Sequence, residues 1–73
     1  MARLDKVISP YFNETAKNLI GQKITVQTSD KIVQQGILRH VLPQYIVLEI
    51  GQVPFFIHTE QIIWLSLDGP NNF

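Results

Sequence analysis

The chain has 73 residues, with six Lys+Arg against six Asp+Glu, so its formal charge is zero. Apolar residues make up 45% and charged residues 16%, against roughly 25% charged in an average soluble domain. One domain over residues 1–73 fits that length, and the composition excludes a disordered tail and a nucleic-acid binder working by bulk electrostatics. The absence of cysteine excludes a disulfide scaffold and a thiolate zinc site.

The opening Met1-Ala2-Arg3-Leu4-Asp5-Lys6 is charged and lacks a long apolar run, so no secretory signal is read there. No stretch approaches the ~20 apolar residues of a membrane span, and a cytoplasmic, membrane-free protein is expected. Residues 1–8 could extend the helix that follows, but Pro10 favours a break. A helix is predicted over about 9–20. Ser9 caps it and Pro10 sits at its first position, where the missing N–H would be unpaired anyway. Phe12, Ala16, Leu19 and Ile20 recur at helical spacing, and Gly21 ends the helix by taking positive φ.

After Gly21 the period becomes two, and five strands are predicted within about 22–67. Lys23–Thr28 alternates, with Ile24 and Val26 on the core side. Ser29-Asp30 turns the chain into a long strand from about Lys31 to His40, where Gly36 marks a bend or bulge. Leu42-Pro43-Gln44 leads into Tyr45–Ile50, and Gly51-Gln52 is a tight hairpin loop into Val53–His58. Thr59-Glu60-Gln61 is one turn before Ile62–Leu67, and residues 68–73 form a frayed tail. A short helix and five strands with a sharp bend predict a mainly β, closed or nearly closed antiparallel barrel, lidded by the helix.

Alternation sorts the side chains. Ile46, Leu48 and Ile50 fall on one face, leaving Tyr45 and Val47 on the other. Phe55 and Ile57 are expected inward, with Phe56 and His58 outward; Ile63, Leu65 and Leu67 inward, with Ile62 and Trp64 outward. The outer set of Tyr45, Val47, Phe56, Ile62 and Trp64 is apolar where a monomeric barrel should be polar. A core this small is also marginal. Association with copies of the chain, or with another protein, is the expected partner relationship.

The helix, Gly21-Gln22-Lys23-Ile24-Thr25-Val26, Ser29-Asp30-Lys31, Gly36-Ile37-Leu38, Tyr45-Ile46-Val47-Leu48 and Phe56-Ile57-His58 before Ile62-Ile63 resemble, in order and spacing, the elements of the Sm-like (LSm/Hfq-type) fold. The resemblance spans roughly residues 9–67 and implies an SH3-like/Sm-like barrel. The chain is also similar to a family of small Bacillus-type proteins of unknown function, some associated with sporulation, which implies a sporulation link. The Sm resemblance implies a ring and an RNA site. Against that site, the turn His40-Val41-Leu42-Pro43-Gln44 lacks the Asp and Asn that grip a base. His58-Thr59 stands where the family carries a basic residue before glycine, and Ile57 replaces the lysine of the Hfq pattern.

His58 is the sharpest candidate for base contact, with Tyr45 to stack and Lys31 to meet phosphate. A zero-charge chain gives such a site almost no positive groove, so a strand-end or interface histidine is the favoured reading. Arg39-His40 reads as a solvated turn. Phe56 and Trp64 are expected within cross-strand reach, as an interface pair or a binding platform. Pro54 removes a donor from its strand, so edge pairing there must be partial or use the other edge. The carboxylates are scattered, Ser9, Ser29 and Ser66 have no evident partners, and His40 and His58 are not spaced as a ligand pair. No enzyme, metal or cofactor is expected. The expected function is a homo-oligomeric scaffold or protein-interaction module. The alternatives are an Hfq-like ring with a degenerate RNA site and a peptide-binding barrel that uses the same aromatics.

Overall fold

The computed structural model describes residues 3–5, as backbone, and 11–67. The predicted helix start at Ser9-Pro10 and the tail 68–73 lie outside the described residues. In chain order the elements are β1 (Arg3–Asp5), α1 (Phe12–Lys17), β2 (Lys23–Thr28), β3 (Val33–Val41), β4 (Tyr45–Ile50), β5 (Val53–His58), a 3-10 turn (Thr59–Gln61) and β6 (Ile62–Leu67). The strands form one antiparallel sheet in the order β1-β6-β2-β3-β4-β5.

This is a mainly β fold of small SH3/Sm-like character, strongly curled. Among the described residues the barrel does not close by strand pairing: β1 and β5 remain as two edges. The additional strand is β1. Its three residues carry no alternation to betray it, and pairing with Trp64–Ser66 of β6 makes them a strand.

The regular part of α1 is shorter than the expected 9–20. Tyr11 occupies the N-cap without a side-chain bond. Beyond Lys17 the chain continues as i→i+3 turns: Leu19 N–H donates to Ala16 O and Gln22 N–H to Leu19 O. Gly21 ends this path at φ +93°, and its N–H donates to Leu38 O, delivering the chain into β2 beside β3. Phe12 and Ala16 are buried, Leu19 packs on the core, and Ile20 is exposed instead of facing inward. Asn13 Nδ2 donates to Leu42 O and Pro43 O, at 3.1 and 3.2 Å, pinning the helix over the β3–β4 loop.

The curl is driven by core burial. Ile24, Val26, Leu38, Ile46, Leu48 and Leu65 are fully buried on the inner face, each contributing about 1.5–3 kcal/mol over an exposed position. Gly36 permits the bend, though it is not a bulge: it keeps register with Ile24, and a Cβ there would lie 2.5 Å from Glu49 O. The bulge in β3 lies at Arg39, where the register with β4 shifts between Leu38 and His40.

A second bulge corrects an expectation about β6. Gln27 pairs with Trp64 but Thr28 pairs with Ile62, which leaves Ile63 as an extra residue. The bulge breaks the alternation, so Ile62 turns into the core and Ile63 faces solvent. Among the described residues, no helix is long and apolar enough to cross a membrane.

Candidate functional site

The β4–β5 hairpin presents the most exposed apolar surface. Gly51 and Gln52 both take positive φ, +58° and +67°, and Ile50 pairs directly with Val53. Positive φ at both central residues defines a type I′ turn, whose twist suits a two-residue hairpin. From there the register runs without interruption to Tyr45↔His58.

The backbone of β5 can be sorted into groups that face β4 and groups that face away. Thr59 N–H donates to Gln44 O at 3.0 Å, which makes Gln44/Thr59 a hydrogen-bonded pair. Pair types alternate along an antiparallel ladder. Hence Val53, Phe55 and Ile57 turn their backbone groups toward β4, and Pro54, Phe56 and His58 turn theirs toward the free edge. Pro54 therefore sits where its absent N–H interrupts no bond within the sheet, the position strand prolines occupy.

Side chains on this strand are poorly covered. Phe56 is 67% exposed, Val53 52% and Phe55 41%; only Ile57 is buried. Phe55 departs from the expected inward packing. It points to the inner face, but β5 is an edge and, among the described residues, no neighbouring strand lies beyond it. On the outer face Phe56 meets Tyr45 with ring centroids 5.8 Å apart and planes tilted 58°, a favourable edge-to-face geometry. Tyr45, Phe56 and His58 line a shallow hollow of about 270 Å³. A second hollow, of about 290 Å³, is lined by Pro43, Gln44, His58, Thr59 and Glu60. Exposed His58 borders both.

The other residues singled out from the sequence are scattered by the fold. Val47 lies between Tyr45 and Glu49 on the outer-face row of β4, opposite Phe56, but is already buried. Ile62 is in the core and is unavailable as an outer contact. Trp64 faces outward on β6, half-buried, with Nε1 donating to Gln27 Oε1 at 2.7 Å. Strands β2, β3 and β4 separate it from Phe56, so the expected cross-strand pair does not form. Lys31 lines neither hollow; it occupies the β2–β3 turn at φ +68°.

In that turn the Thr28 hydroxyl donates to Asp30 Oδ1, which also accepts the Ile32 amide. These bonds, the Thr28 bond foremost, hold the Asp30 carboxyl below its ordinary value of 3.8. His40 lies on the exposed end of β3, beyond the Arg39–Glu49 ion pair at 2.6 Å. Among the described residues, no three His, Cys, Asp or Glu side chains gather as metal ligands.

Val53 and Phe55 were missed as surface residues. The available signal was Pro54, a marker of an edge strand, flanked by three apolar side chains.

No curated protein and no solved structure matches the chain. The Sm-like resemblance gains no support from either comparison. A family model described as Domain of unknown function (DUF2642) matches residues 4–66, from within β1 into β6, in keeping with the resemblance to small proteins of unknown function. The chain belongs to that family.

Proposed function

We propose that this chain is a non-enzymatic interaction domain that associates with copies of itself through the β5 edge, needing no cofactor. One observation carries the reading: an edge strand exposes Val53, Phe55 and Phe56 on both of its faces. Long apolar edges are templates for pairing with another chain, and proteins that remain monomeric blunt them. Pro54 blunts this edge only next to the turn; Phe56 and His58 still turn their amides outward. Burying such side chains also adds stability that a core of this size lacks. The sporulation link remains part of the proposal through family resemblance alone.

The hollow formed by Tyr45, Phe56 and His58 favours a second reading, stacking of a single-stranded RNA base. That reading is the weaker one, because among the described residues no lysine or arginine lines either hollow at His58. Light scattering over a concentration series at low and high salt separates the two. An assembly that persists at high salt supports the interaction domain. A monomer at all concentrations that binds RNA with a steep salt dependence overturns it in favour of RNA.

A further inference from the structure

We infer that β5 pairs antiparallel with the β5 of a second copy about a two-fold axis at Phe56, joining two sheets into one. The inference rests on the self-association proposed above and names its register. It follows from the inventory of backbone groups on the free edge. Phe56 offers both an N–H and a C=O. Pro54 offers only a C=O, since proline has no N–H. His58 offers only its N–H: as the N-cap of the 3-10 turn Thr59–Gln61, its carbonyl accepts the first bond of that turn.

An ordinary strand laid along this edge leaves groups orphaned. Its carbonyl opposite Pro54 finds no donor, and its amide opposite His58 finds an acceptor already engaged. Buried orphans of this kind forfeit their hydration without compensation. The fitting partner lacks a donor where His58 faces it and lacks a free acceptor where Pro54 faces it. Read antiparallel, β5 itself has that pattern. With Phe56 opposite Phe56 of the second copy, His58 falls opposite Pro54. Each Phe56 amide then meets the other Phe56 carbonyl, and each His58 amide meets a Pro54 carbonyl. Sliding the strands by two residues in either direction breaks this match.

The same register covers the exposed side chains. The two Phe56 rings become cross-strand neighbours on the outer face, beside Tyr45. On the inner face Phe55 lies opposite Ile57 of the second copy, supplying the neighbour that an edge position lacks.

The test is a cross-link in a chain that has no cysteine of its own. Hydrogen-bonded antiparallel partners lie about 5.5 Å apart at Cα, too wide at Cβ for an unstrained disulfide but within reach of a short bismaleimide linker. Phe56→Cys is expected to be coupled into a covalent dimer by such a linker. Val33→Cys, at a comparably exposed position on β3, should stay uncoupled. Phe56→Pro removes one outward amide without breaking a β4–β5 bond, and should weaken dimerisation at least tenfold while the far-ultraviolet circular dichroism stays native. A wild-type assembly with no cross-link at residue 56, or with equal cross-linking at residue 33, overturns this register but leaves self-association standing. A wild-type chain that is monomeric throughout overturns both.

Discussion

Gly36 and Glu49 approach so closely across β3 and β4 that a methyl group on Gly36 would stand 2.5 Å from the Glu49 carbonyl oxygen and 2.9 Å from Ile50 Cγ1. The oxygen belongs to a backbone held in the ladder and cannot swing aside. Gly36→Ala should therefore force the two strands apart and cost about 1–3 kcal/mol, the usual range for overpacking. Urea unfolding checks it; an unchanged midpoint would show that the bend does not depend on the missing side chain.

The type I′ turn at Gly51-Gln52 places a residue with a Cβ at φ +67°. Left-handed backbone costs a non-glycine residue roughly 1–2 kcal/mol, partly offset by the greater freedom glycine gives the unfolded chain. Gln52→Gly is expected to raise stability by about 0.5–1 kcal/mol. A higher thermal midpoint with an unaltered circular dichroism spectrum is the supporting result.

Trp64 reaches Gln27 through one hydrogen bond on the outer face and lies far from the β5 edge in strand order. Trp64→Phe keeps most of the ring but strips Gln27 Oε1 of that donor, and should cost about 1 kcal/mol. The same variant should leave the mass in solution at the wild-type value under native conditions. Loss of assembly in a folded Trp64→Phe chain would move the interface from β5 to β6.

The depressed Asp30 carboxyl gives stability a pH dependence. Because the folded value lies below 3.8, its contribution is complete above the unfolded value and is lost as pH falls through the lower folded one. Asp30→Asn should flatten the acid limb of a stability–pH curve over that window. An acid limb of unchanged slope would assign acid sensitivity to other carboxylates.

Core truncation sets the scale for all of these. Leu48 is fully buried in the centre of β4, and Leu48→Ala should cost about 2–5 kcal/mol. That is a large share of the stability available to so small a chain. Chemical denaturation should show a midpoint close to zero denaturant, or a chain already unfolded.

Several features could be read from residue order because their causes are local. Alternation in Lys23–Thr28 expresses the two-residue period of a strand, and Gly21 and Gly51 announce backbone that takes positive φ. Other features depend on which strand lies alongside. Arg3–Asp5 becomes a strand only by bonding to β6, and Ile62 turns inward because an unpaired Ile63 shifts the ladder. Of the outer apolar residues anticipated from alternation, Tyr45 and Phe56 meet, while Trp64 stands across three intervening strands. Local sequence determined the helix, the five main strands and the β5 hairpin, since propensity and side-chain period act over a few residues. Pro54 marks an edge strand in the sequence, but only the tertiary structure decided that Val53, Phe55 and Phe56 stay uncovered, since exposure depends on what the whole sheet leaves unpaired.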